Sequence, residues 1–538
     1  MKFWKFGLVF LLILFQSLDS KAQISPECGL KIYKGDATST DSSIREFVKI
    51  KALPDGSLIH AGQADEGADA NVSLTKTNSD GTIIWQKTIE IEQLDVLKNF
   101  CITSDGGFVL VGWTASLVGT EPSDALIIRC DSQGNVIWVK AYGGSDDDEG
   151  FNATQLPGGD FLITGTTYSF GPNLRNAFAV RLNPDGEVVW SKAFAKGTYN
   201  YFIDAFLVSA DEIILCGYTW VTSGTSIFDP WFVKIQGNGQ VIWSKWLKMN
   251  NSQIIYDFEK DADGGIVYAG VSTTSGANQN LIGKVSASGN HLWAKLFGTN
   301  FGDRIWDMAI SPWGNYLVAG FTDKSGAENA PRNGFVARLS NTGNVEAAAQ
   351  FTGGNDTSTT TFTGITTSGD FLVANGFSYA YGNTQNGSGI SAKLPIADFS
   401  QSCGAGPITI GTSTLAALDS AGISVEDGGS VSTTDDVNSS ENNLLVQTIC
   451  TVTGISKTLN QQSDFLVFPN PAEHFIQISS IVDDLQEIRI FGSDGRVLTA
   501  VKGVGKAYNL DLDSFRPGLY WVQIRTRQET KTISFLRK

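Results

Sequence analysis

Histidine is almost missing from this chain: three residues in 538, His60, His291 and His474. Their dispersal argues against a zinc cluster and against a Ser-His-Asp site. Methionine is as scarce, and neither HExxH, CxxC nor GxSxG occurs. Only 17 per cent of residues are charged, and acids outnumber bases 55 to 39, for a net charge of −16. That sign repels phosphate backbones, so nucleic acid is not an expected partner. No cofactor motif is present, and neither a cofactor nor a metal is expected. No long segment places apolar residues at i, i+3, i+4 and i+7, which leaves an all-β reading. The apolar run near the start, Phe6 to Phe15, is ten residues long. A membrane-spanning helix needs about twenty.

That short run has another use. Lys2 and Lys5 precede it, and Ser20-Lys21-Ala22 puts small residues at −3 and −1 of a cleavage site. Residues 1–22 therefore read as a secretory signal peptide. Six cysteines follow this exported start. Cys403 and Cys450 bracket a Ser/Thr/Gly-rich stretch, where a disulfide is one reading. Cys101, Cys130 and Cys216 fall in strand patterns as buried thiols, and Cys28 has no evident partner.

Glycine is plentiful at 58, and it keeps time. "SDGTIIWQK", "SQGNVIWVK", "PDGEVVWSK", "GNGQVIWSK", "ASGNHLWAK" and "NTGNVEAAA" recur every fifty-odd residues. Four residues after their glycines stand Trp85, Trp138, Trp190, Trp243 and Trp293, with Lys87, Lys140, Lys192, Lys245 and Lys295 two further on. Five residues before each glycine is a base: Lys76, Arg129, Arg181, Lys234, Lys284 or Arg338. A second phrase, a turn feeding a β-rich run that stops at glycine, occurs seven times, from "PDGSLIHAG" to "TSGDFLVANG". One period thus holds four strands in a meander, the pattern of a propeller blade. Trp and base present in nearly every blade read as scaffold. A series of sugar platforms or anion sites is the functional alternative. "GLKIYKGD" matches "WVKAYGGS", placing Lys31 on Lys140 and Tyr33 on Tyr142. The expectation is an all-β, seven-bladed β-propeller over residues 28–395, closed by the N-terminal strand.

From Gly29 to Leu394 the chain resembles secreted bacterial propeller proteins built on "DGGyiiaG … lvKtdsnGnxxWxKxyGG" repeats. The resemblance implies the fold and leaves function open. Residues 396–463 read from composition as a spacer. Strand patterns return over 464–538 with Pro and Asp-Gly turns, as in a small Ig-like β-sandwich. Phe468-Pro469-Asn470-Pro471, Ile490, Gly495-Arg496, Pro517-Gly518-Leu519-Tyr520 and Arg537-Lys538 are similar to the type A C-terminal sorting domain of the type IX secretion system. That resemblance implies passage to the cell surface or beyond, with the secretion machinery as partner. An adhesive Ig-like module is the alternative.

"DADGG" at Asp261–Gly265 resembles the start of a calcium loop but reads as a turn, lacking the distal Glu. Near the start of each first strand stand Asn99, Asn152, Asp204, Asp257 and Asp307, with Lys49 in the first repeat and a threonine in the seventh. They are expected to ring one mouth of a central channel, either as ligand contacts or as caps on backbone amides. Variable loops on that side carry Trp113, Tyr168, Phe170, Tyr218, Trp220, Tyr379 and Tyr381. Tyr218 and Trp220 are expected to offer flat apolar faces beside the acids. The leading function is a non-enzymatic surface or secreted protein that binds a glycan or a protein. The alternative is a polysaccharide-degrading glycosidase or lyase.

Overall fold

In a computed structural model of the protein, the described residues are 29–34, 43–66, 69–90, 95–115, 122–221, 227–249, 251–273, 278–299, 302–325, 330–351, 358–379 and 388–397, the strands between 405 and 451, and most of 465–537. Every described element is a strand. Two compact units form, one within 22–454 and one holding 455–538.

The larger unit contains seven antiparallel sheets of five strands, an array of propeller-like repeats. The first is a meander of Ser43–Ala52, Leu58–Glu66, Asp69–Thr77 and Ile83–Glu90. Five more sheets repeat that order along the chain. The seventh takes Thr360–Ser368, Phe371–Ser378 and Ser388–Pro395, and the N-terminal strand Gly29–Lys34 pairs with the last of these.

The recurring phrase is a lock between neighbouring sheets. Its turn glycine is left-handed, with φ of 76° at Gly289. A β-carbon there would also lie 2.7 Å from the Trp243 ring of the preceding sheet. Glycine is demanded twice, by backbone and by contact. The Tyr142 hydroxyl donates to the Gly186 carbonyl at 2.6 Å, and the Tyr33 hydroxyl donates likewise to Gly81 at 3.0 Å. The N-terminal strand therefore grips the first sheet as the other fourth strands grip theirs. Tyr33 also packs on Phe47 and His60, and burial lowers the His60 pKa to about 3. The bases before the glycine reach acids at the other hairpin turn: Arg129 to Asp105 at 2.5 Å, Arg181 to Asp160 at 2.7 Å, Lys234 to Glu212 at 2.8 Å. Asp261 and Asp263 of "DADGG" both accept from Lys284 at 2.6 Å. These series are scaffold.

The stretch expected to be a spacer instead supplies the fifth strand of every sheet. Ala405–Pro407 pairs with the sixth sheet, Gly411–Leu415 with the fifth, Leu418–Ser420 with the fourth and Ser424–Asp427 with the third. Ser430–Thr434, Asn438–Ser440 and Leu445–Thr451 then join the second, first and seventh. The segment runs as a belt, against the order in which the sheets were laid down. Composition misleads here because an added edge strand is held by main-chain hydrogen bonds, which Ser, Thr and Gly make as well as valine.

The C-terminal unit has a three-stranded sheet, Phe465–Phe468, Phe475–Ser480 and Ala507–Asp511, and a four-stranded sheet, Val497–Gly505, Leu485–Phe491, Gly518–Arg525 and Thr530–Arg537. Ile476, Ile478, Ile488, Ile490, Val522 and Ile524 form its core.

Candidate functional site

Each of the seven first strands carries a β-bulge at the same register. A bulge adds one residue to one strand and turns its side chain away from the ladder. The extra residues are Val48, Lys98, Phe151, Ile203, Tyr256, Trp306 and Thr363, and all seven line one cavity of about 450 Å³. Phe377, Tyr218, Glu46, Gln63 and Arg332 complete much of its wall. In six of the seven sheets sequence reasoning chose the next residue along and passed over these. The signal was available as the side chain immediately before each ring position.

The ring positions do come together, but as a bonded floor. The Asn99 amide donates to Asn152 Oδ1 at 3.0 Å, and the Asn152 amide donates to Asp204. Asp204 also accepts from its neighbour's amide, Ala205, at 2.6 Å. Lys49 Nζ donates to Asp257 Oδ1 at 3.4 Å and to Asp307, joining the first sheet to the fifth and sixth. The second oxygen of each acid accepts a backbone amide from the following sheet, Met308 at 2.9 Å for Asp257 and Ile365 at 2.6 Å for Asp307. Burial raises the Asp204 pKa to about 6. Burial also raises that of Asp257 well above the usual range, against the opposing pull of Lys49. For Lys49 burial pulls downward, yet the two carboxylates outweigh it and hold the ammonium above the ordinary lysine value. Two residues deeper, burial brings Glu259 to about 7 despite Lys51.

Three expectations need correction. The seventh ring position is Gly364, not threonine, because the register places Gly364 opposite Asn375 and Thr363 in the bulge. The Asn375 side chain fills the vacated place and donates to the Lys49 carbonyl at 3.1 Å. Tyr218 and Trp220 each have one face covered, and Tyr218 still lines the cavity. Tyr218 stacks on Tyr201 at 4.6 Å and Trp220 on Tyr199 at 4.8 Å, because same-face neighbours on a hairpin cover one another. Tyr168 likewise lies under Arg175, at 4.7 Å.

Among the described residues no three His, Cys, Asp or Glu side chains gather as a metal site. Burial pushes the free thiols of Cys101 and Cys130 up to about 11 and about 12. The Cys403–Cys450 expectation, Cys28 and residues 1–22 lie outside what the structure describes, apart from the Cys450 backbone opposite Leu30.

In the C-terminal unit, Tyr520 is buried and donates to the Arg516 carbonyl at 2.7 Å, with its ring edge-on to Phe515. Residues 466–537 match the family described as "Secretion system C-terminal sorting domain". The tail is a type IX sorting domain. Its presence indicates secretion to the cell surface or outside. Within the sorting domain Phe468 ends a strand and Gly518 begins one. Pro469, Asn470, Pro471, Gly495, Pro517 and Lys538 lie outside the described residues.

No curated protein matches the chain. Among solved structures it is similar to PorZ of Porphyromonas gingivalis, described as an essential bacterial surface component of the type-IX secretion system. That match has 10% identity and a TM-score of 0.26, covering 91% of this chain and 81% of that one. A puromycin hydrolase is similar at 12% identity and TM-score 0.36, covering 65% of this chain and 53% of its own. The chain thus spans about half the hydrolase. A eukaryotic initiation factor is similar at 10% and 0.33, covering 73% and 98%. With TM-scores this low, no activity or partner passes from these proteins to this chain.

Proposed function

We propose that the seven sheets close into a seven-bladed β-propeller and that the exported protein binds a glycan or a partner protein in the cup at one mouth of its channel. The cavity of about 450 Å³, walled by one bulged residue from every sheet, carries this reading. Closure is supported by the Tyr33 lock and by Thr363, whose hydroxyl donates to the Phe47 carbonyl across the first and seventh sheets. Lys49 reaches over the axis and gives the cup a floor. Phe151, Tyr256, Trp306 and Phe377 supply flat apolar walls suited to a sugar ring or an inserted side chain. A glycan array probed with the exported protein tests this. Trp306→Ala and Tyr256→Ala should weaken whatever binds, and equal binding by both variants would refute the cup.

One observation favours a glycosidase. Two hydrogen bonds to the same ammonium hold Asp257 and Asp307 within about 6 Å of each other, close to the spacing of a retaining pair. Against it, every bond just described occupies a carboxylate oxygen that catalysis would need. Polysaccharide hydrolysis that Asp257→Asn abolishes would revive the enzyme.

A further inference from the structure

At six junctions where the third strand of one sheet meets the first strand of the next, the start of each strand presents a polar residue. The register within each sheet puts equivalent residues there: Asn71 and Asp95, Asp124 and Asp148, Asn176 and Asn200, Asp229 and Gln253, Gln279 and Asp303, and Asn333 and Thr360. Five of the six include a neutral amide able to donate. Only the corner between the second and third sheets sets two carboxyl groups together.

These two are also the most confined. Asp124 is 3% exposed and Asp148 1%. A β-carbon on Gly143 would fall against Asp124 Oδ1 and 2.7 Å from Asp148 Oδ2. The carboxylates therefore lie within about 5 Å, the span across one calcium ion with ligands on opposite sides. Asp148 Oδ2 already accepts from the Gly144 amide at 2.8 Å and the Ser169 hydroxyl at 2.7 Å; burial raises its pKa, and these hydrogen bonds oppose that rise. Its Oδ1 and Asp124 Oδ1 are both buried with no hydrogen-bond partner among the described residues. The local cation, Arg175, is taken by Glu149 at 2.6 Å. Asp147, beside them, is taken by the Ser123 amide and hydroxyl at 2.9 Å. Two adjacent buried carboxyl groups, each with an unpartnered oxygen, need either a shared proton or a cation.

We propose that this corner binds a hard divalent cation of the calcium class, with Asp124 and Asp148 as its side-chain ligands and main-chain carbonyls and water as the rest. Oxygen-only ligands and the acid run Asp146-Asp147-Asp148-Glu149 suit such an ion and no soft metal. The ion would strap the second sheet to the third.

Calcium is the probe, added to the exported full-length chain after treatment with a chelator. The expected result is about one calcium bound per chain by calorimetry, with a melting temperature a few degrees higher in calcium than in chelator. Asp124→Asn and Asp148→Asn should each fold, since amides occupy the equivalent places at other corners, and each should lose the calcium response. Two outcomes overturn the proposal. A calcium response that survives in both variants places the ion elsewhere. No response in the native chain, with a melting temperature that rises as pH falls from 8 to 6 and does so only while Asp124 is present, shows a shared proton in place of the metal.

Discussion

Replacing Lys49 by methionine removes the ammonium bonded to Asp257 and Asp307 and leaves its apolar stem in place. The Lys49, Asp257 and Asp307 side chains are 12%, 10% and 8% exposed, so solvent does little to screen the loss. Breaking a buried ion pair from one side costs about 3–5 kcal/mol. The chain can limit that cost by protonating the stranded acids, at about 1.4 kcal/mol for each pH unit above an unfolded pKa near 4. At pH 7 that escape costs about 4 kcal/mol per acid, and at pH 5 a little over 1. The sign follows from Asp257, whose folded pKa stands above its unfolded value, so the folded state holds the extra proton. Its burden on stability is absent below the unfolded pKa and grows as pH rises through the folded one. Lys49→Met should therefore lose about 3–5 kcal/mol at pH 7 and clearly less at pH 5, read from urea midpoints. Adding Asp257→Asn and Asp307→Asn should restore most of the loss. A variant as stable as the native protein at pH 7, or a loss that ignores pH, would show that the bridge carries no weight.

Two further perturbations test the frame. Tyr33→Phe and Tyr142→Phe each remove one buried hydroxyl bonded to a turn carbonyl, so each should cost about 1 kcal/mol in urea melts. A Tyr33 variant with no loss would deny the N-terminal strand its place as a fourth strand. Deleting residues 398–454 uncovers the outer edges of all seven sheets, and size-exclusion chromatography should then show self-association by edge pairing. A monomer with unchanged melting temperature would make the belt ornamental.

Sequence alone determined whatever depends on local chemistry repeated at a fixed interval. A left-handed glycine, a tryptophan four residues later and a base five residues before mark a hairpin wherever they occur, so the strands, the repeat count and the place of the N-terminal strand were legible in single letters. The sorting tail was legible for the same reason, since its words are local. The side chains that line the cup were not. A bulge arises from a mismatch between two paired strands, so whether Trp306 or Asp307 faces the cavity depends on a register that neither strand states by itself. The belt escaped because its strands are chosen by the edges they meet and not by their own β-propensity. Tertiary structure also decided the fate of the acids. Asp257 and Asp307 look like their counterparts in sequence, and only the packing that brings Lys49 of the first sheet against them turned them from open ligands into a closed floor.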